Sequence, residues 1–179
     1  TTVGRVYGMV INPGNPNIMY TCTGVAPGGV NKTTDGGLTW TAVNTGLTNQ
    51  VIQCLGISKS SPNVLYAGTN PGAIEGVFKT TNGGVSWTQA STGITEPAGT
   101  IGIQAIEVHP TNPLIAWCTV FNGAADAVNG IYKTTDGGAN WSVQLDTPGY
   151  WLTSIYFSNA ATGYAAGDFG TVLKTIDGG

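Results

Sequence analysis

Charge is what this sequence has least of. Only 8% of its 179 residues are Asp, Glu, Lys or Arg, Arg5 is the sole arginine and His109 the sole histidine. Five lysines and one arginine cannot assemble the basic stripe that nucleic acid requires, so no nucleic-acid partner is expected. Cysteine is scarce too: Cys22, Cys54 and Cys118 have no metal-ligand spacing, and with His109 they are the only soft ligands in the chain. Neither a metal nor a cofactor is expected. Each cysteine sits in an apolar run (MYTCT, VIQCLGI, AWCTV), where a reduced thiol behaves as a small hydrophobe, and buried free thiols are expected. No stretch approaches the roughly 20 apolar residues of a membrane-spanning helix, and no basic-then-apolar leader stands at Thr1. The expectation is a soluble chain with no transmembrane segment, any export signal having been removed or lying outside it.

What the sequence does have is glycine, 28 of them, and repetition. KTTDGGLTW at Lys32 to Trp40 returns as KTTNGGVSW at Lys79 to Trp87, as KTTDGGANW at Lys133 to Trp141, and as KTIDGG at the last six residues. The step begins at Asp35, Asn82, Asp136 and Asp177, spacings of 47, 54 and 41 residues, which suit a four-stranded sheet unit and are too long for a helical hairpin. Each unit holds a first apolar run (RVYGMVINP, VIQCLGISKSSP, GIQAIEVHP, LTSIYFSNA), a turn, and a second run (NIMYTCTG, NVLYAGTN, LIAWCTVF, TGYAAGD). A variable loop follows, then a third run ending in the repeated lysine, the glycine turn and a fourth run from the tryptophan. Alternation of apolar and polar residues, β-branched enrichment and Gly/Asn/Pro punctuation all read as strands, and no window offers a helix.

The turn itself has a local explanation. Asp at its corner is expected to accept backbone amides one and two residues on, the glycines supply positive φ, the preceding threonine ties its hydroxyl into the loop, and the tryptophan ring covers the turn. Thr33, Asp35, Gly37 and Trp40, Thr80, Asn82, Gly84 and Trp87, Thr134, Asp136, Gly138 and Trp141, and Asp177 therefore read as a structural staple between the third and fourth strands. Asn82 is expected to cap as well as the aspartates, since its carbonyl oxygen accepts the same bonds.

Thr33 to Trp40, Thr80 to Trp87 and Thr134 to Trp141 resemble the Asp-box, the bacterial neuraminidase repeat of β-propellers. Sialidases, sortilin-type receptors, two-propeller xyloglucanases and the photosystem II assembly factor share it. PGNPNIMYTCTG, SSPNVLYAGT and PTNPLIAW are similar to the sortilin and xyloglucanase repeats, and TGYAAGDFGTVLKTIDGG to that of the assembly factor. The resemblance covers essentially the whole chain. It implies an all-β propeller of four-stranded antiparallel blades, about 3.75 of them: 1–47, 48–95, 96–147 and an incomplete 148–179. It further implies an open arc whose remaining blades belong to the same or another chain, because a ring leaves no apolar flank exposed.

Function is not implied so narrowly, because the box occurs in enzymes, receptors and scaffolds. A sialidase clamps its carboxylate substrate with three arginines, and one arginine cannot replace them. The xyloglucanases carry a catalytic Asp after a second strand; the matching positions here hold Gly24 or Val25, Asn70 and Asn122, and only Asp168 stands where that Asp would be. GDFG is also an ordinary turn of the assembly-factor repeat. Glu75, Glu96, Asp126 and Asp146 read as loop carboxylates, His109 as a turn residue, and the sequons at Asn31 and Asn140 as coincidental. Ligand contacts are expected from the loops that vary between units: Tyr150 and Trp151, with Glu96, Asp126 and Asp168, suit a protein or glycan partner. The alternative for Trp151 is a core residue opening the next inner strand. The reading is thus a non-enzymatic binding or structural module of a secreted, cell-surface or periplasmic protein. Its rival is part of a xyloglucanase-like hydrolase whose carboxylates lie elsewhere.

Overall fold

The computed structural model describes residues 5–24, 28–70, 76–94, 101–122, 129–147 and 151–179. Fifteen strands fall into four antiparallel sheets, each built from strands consecutive in sequence. The first holds β1 (Val6–Ile11), β2 (Met19–Thr23), β3 (Gly29–Thr33) and β4 (Thr41–Ala42). The second holds β5 (Ile52–Ile57), β6 (Leu65–Thr69), β7 (Val77–Thr80) and β8 (Thr88–Gln89). The third holds β9 (Ile101–Val108), β10 (Ala116–Asn122), β11 (Gly130–Thr134) and β12 (Ser142–Asp146). The fourth has three strands, β13 (Leu152–Phe157), β14 (Gly163–Gly167) and β15 (Val172–Thr175). The single helical turn among the described residues is a 3-10 turn, Asp168–Gly170.

The sheets associate through their first strands, β1 against β5, β5 against β9 and β9 against β13. No comparable packing joins β13 to β1, so the blades form an open arc rather than a closed ring. Both faces of the middle blades are therefore covered, and β6 is buried at every position while β1 is largely exposed. One apolar cluster joins Cys54, Tyr66 and Val77 of the second blade to Ile103, Cys118 and Trp141 of the third. A second joins Tyr20, Cys22 and Val30 to Leu65, Phe78 and Trp87, and a third forms around Trp117, Leu152 and Phe157. The three cysteines are free thiols inside these layers, and burial pushes the Cys22 thiol up to about 11 and those of Cys54 and Cys118 further.

Candidate functional site

The repeated turn is the most elaborate polar feature among the described residues. Thr33 Oγ1 donates to Asp35 Oδ1 at 2.7 Å and accepts the Gly37 amide at 3.0 Å, while Asp35 Oδ1 accepts the Thr39 amide at 2.9 Å. The carboxylate thus serves an amide four residues on, not one and two as expected, because the threonine hydroxyl already holds the glycine amide. Asn82 does the same for Ser86 at 3.0 Å and Asp136 for Asn140 at 2.9 Å. At the fourth copy the Asp177 carboxylate accepts the Gly179 amide two residues on, at 3.2 Å. Paired glycines at φ 74 and 96, 68 and 88, and 76 and 89 make the bend. These hydrogen bonds hold the Asp136 carboxyl down to about 2, mainly through the Asn140 side chain, and Asp35 still lower, mainly through the Thr39 hydroxyl.

The lysine and tryptophan that flank the turn act on neighbouring blades. Lys32 Nζ donates to the Gly83 carbonyl at 3.0 Å, Lys79 to Gly137 at 2.7 Å and Lys133 to Gly178 at 2.7 Å, each reaching the turn of the following blade. An aromatic ring backs each lysine: Tyr20, Tyr66 and Trp117 lie 5.3 to 5.4 Å beneath the ammonium groups. In the other direction, Trp87 Nε1 donates to Val43 O and Trp141 Nε1 to Ala90 O, both at 2.8 Å, the residues that follow the last strand of the blade before. Covering the turn was the expected role of the ring. Only Trp40 takes that position, donating to its own Gly37 O at 3.1 Å, since no described blade precedes it. The turn is a junction between blades, its threonine, carboxylate and lysine each bonded to protein groups.

The face formed by the loops is different. Trp151 stands just before β13, 47% exposed, with its ring 4.2 Å from that of Phe121 at the end of β10. It is therefore not the core residue of the alternative reading. Its carbonyl accepts the Asp168 amide at 2.9 Å, and Asp168 O accepts the Thr171 amide at 3.0 Å, so backbone bonds fix this turn. The next residue, Phe169, is held at φ 55 and is 91% exposed. A bulky side chain kept in the left-handed region and in water is costly, and such outliers gather where ligands bind. Trp151, Phe121 and Phe169 thus place aromatic surface on the loop side of the last two blades. Glu96, Asp126 and Tyr150, expected beside them, lie outside the described residues.

Four further residues on the axial side were not singled out by sequence reasoning. In each first strand the ladder slips by one residue: between Val6 and Gly8, between Ile52 and Cys54, between Ile103 and Ala105, and between Leu152 and Ser154. The extra residues are Tyr7, Gln53, Gln104 and Thr153, and all four line one cavity of about 410 Å³ between the first strands. No carboxylate is among the described residues that line that cavity. A signal existed in the repeated pattern apolar–polar–small (V-Y-G, I-Q-C, I-Q-A, L-T-S), which breaks the period of two.

Two further polar side chains are held locally. His109 Nδ1 accepts the Thr111 and Asn112 amides at 3.2 and 3.1 Å, closing a turn. Glu107, whose carboxyl is raised by burial against the pull of Lys59 at 3.4 Å, lies at the end of β9 away from the loops. Among the described residues no cluster of His, Cys, Asp or Glu could hold a metal ion, and no helix is long and apolar enough to cross a membrane.

No family model matches the chain, and no curated protein matches it. Solved structures do. A GH74 enzyme from Niastella koreensis is 25% identical over 96% of this chain and 28% of its own, with a TM-score of 0.73. The GH74 xyloglucanase from Xanthomonas campestris is 16% identical over 98% of this chain and 29% of its own, TM-score 0.72. YCF48 bound to D1 peptide is 20% identical over 91% of this chain and 47% of its own, TM-score 0.61. The chain spans less than a third of the length of these GH74 enzymes. Its fold is that of the β-propeller blades in these neighbours.

Proposed function

We propose that this chain is a ligand-binding segment of an extracytoplasmic Asp-box propeller, and that a polysaccharide lies across the loop face on Trp151, Phe121 and Phe169. The exposed Trp151 ring, paired with the half-buried Phe121 at the loop end of β10, carries the reading. Aromatic faces beside a strained turn suit the C–H faces of sugar rings. The segment itself binds and does not cleave. Glycoside hydrolysis needs two carboxylates facing one another across the bond, roughly 5 to 10 Å apart. Among the described carboxylates, Asp35, Asp136 and Asp177 are tied into turns and Glu107 to Lys59, Asp146 ends β12, Asp168 stands in the turn beside Trp151, and none lines the axial cavity.

The likeness to GH74 enzymes supports a second reading, in which these blades belong to a xyloglucanase-like hydrolase with its carboxylates on other blades. Further blades, of this chain or another, would also supply what the fourth blade lacks: Lys174 lies over Tyr164 at 5.8 Å but meets no turn carbonyl among the described residues. Affinity electrophoresis in xyloglucan gels, run beside a reducing-sugar assay, separates the two readings. The first expects retarded migration, relieved by Trp151→Ala, and no release of reducing ends. Turnover by this chain alone would sink it, and migration unaffected by the polymer would remove the glycan ligand.

A further inference from the structure

A β-bulge breaks the hydrogen-bonded ladder and turns its extra side chain out of the sheet, so four bulges at matching places in four blades ask for a reason. Their side chains meet at one place. Tyr7, Gln53, Gln104 and Thr153 border the axial cavity of about 410 Å³, and Met9, Leu55 and Ile106 supply apolar wall. That volume is of small-molecule size.

The chemistry of the ring selects its occupant. Two carboxamides, a phenol and an aliphatic hydroxyl provide donors and acceptors in similar number and no charge. Among the described lining residues an anion finds no lysine or arginine and a cation no carboxylate, and the Arg5 guanidinium is held over the Tyr7 ring at 5.2 Å. The Oε1 acceptor of Gln53 is buried and meets no donor among the described residues, and a rotation of this carboxamide would bring it to a ligand hydroxyl. The Tyr7 ring, 37% exposed, offers a face for stacking.

We infer that the axial cavity binds one neutral, hydroxyl-rich ring, a pyranose in size and chemistry. The site holds its ligand without hydrolysing it: no described residue of its wall is a carboxylate, and the one thiol there, Cys54, is kept protonated by burial. It is separate from the Trp151 surface and stands or falls independently of polysaccharide binding there.

The test is saturation-transfer NMR and titration calorimetry on the chain with D-glucose, D-galactose, D-xylose and, as a charged counterpart, D-glucuronate. At least one neutral sugar should bind at millimolar concentration, and glucuronate should bind markedly more weakly. Gln104→Leu keeps the side-chain volume and should weaken the neutral sugar about tenfold, the effect of one lost hydrogen bond. Thr153→Val, isosteric and at an exposed position, should also weaken it with no change in melting temperature, so that a folding defect in the first variant cannot hide the answer. Absence of binding by every neutral sugar would overturn the inference, as would equal binding of glucuronate or affinity untouched by both variants.

Discussion

Removing Trp141 should cost far more than removing Trp40, although the two occupy the same place in the repeat. Trp141 is 4% exposed, donates its indole N–H to Ala90 O at 2.8 Å on the neighbouring blade, and meets the Tyr66 ring edge-on with centroids 6.4 Å apart. Truncating a buried tryptophan to alanine typically costs about 3 to 5 kcal/mol, and Trp141→Ala should fall in that range. Trp40 is 39% exposed and bonds only within its own turn, so Trp40→Ala should cost about 1 to 2 kcal/mol, the smaller apolar area and one local hydrogen bond. Trp141→Phe separates packing from hydrogen bonding: it keeps most of the ring and leaves the Ala90 carbonyl without its donor, for roughly 1 to 3 kcal/mol. Urea unfolding followed by far-ultraviolet circular dichroism measures all three. The junction account requires the order Trp141→Ala, then Trp141→Phe, with Trp40→Ala near or below the latter. Equal losses at Trp40 and Trp141 would refute it, since the ring would then be acting on its own turn alone.

Other outcomes follow from the same geometry. Gly93 has φ 93 and a Cβ placed there would stand 2.1 Å from the Trp141 carbonyl, so Gly93→Ala should destabilise by roughly 2 kcal/mol or more in thermal unfolding, while Gly14→Ala, with room and no positive φ, should be near neutral. Asp136 titrates near 2 in the fold against 3.8 unfolded; a depressed folded value adds stability that is complete above about pH 4 and lost as pH falls through about 2. Asp35 behaves in the same direction, so a double Asp35→Asn, Asp136→Asn variant should show a flatter acid limb, and an unchanged limb would remove these carboxylates as its cause. Lys79→Met should lower the melting temperature more than Lys174→Met, because only Lys79 reaches a turn carbonyl, Gly137 O at 2.7 Å.

The blade pattern was legible in the chain because it rests on local rules: alternation specifies strands, and Thr-x-Asp-Gly-Gly specifies a turn whose partners lie within four residues. The three-stranded last sheet could be counted the same way. What the sequence did not disclose depends on atoms far apart in the chain. Trp87 reads as a cover for its own hairpin until Val43 is seen beside its indole, 44 residues earlier. Lys32, Lys79 and Lys133 are in the sequence only a recurring position, and nothing near them in the chain discloses that each ammonium sits on the next blade's glycine carbonyl. The bulges were missed for a subtler reason: one extra residue shifts every later side chain to the opposite face, and Gln53 or Gln104 alone looks like an ordinary outward-facing polar residue. Asp168 reads in the sequence both as a turn residue and as a ligand contact, and the structure places it at the start of a 3-10 turn whose bonds are local.

The one-way sense of the lysine contacts has a bearing on synthesis. Lys32, Lys79 and Lys133 find their acceptors 51, 58 and 45 residues later in the chain. On a ribosome adding about 5 to 20 residues each second, every blade would therefore wait some seconds, half fastened, for a turn not yet made. Folding that advances in order from the amino end, each arriving turn locking its predecessor, is the assembly schedule such stitching imposes. A translational pause placed just after a glycine turn would let that lock close before the next strand emerges.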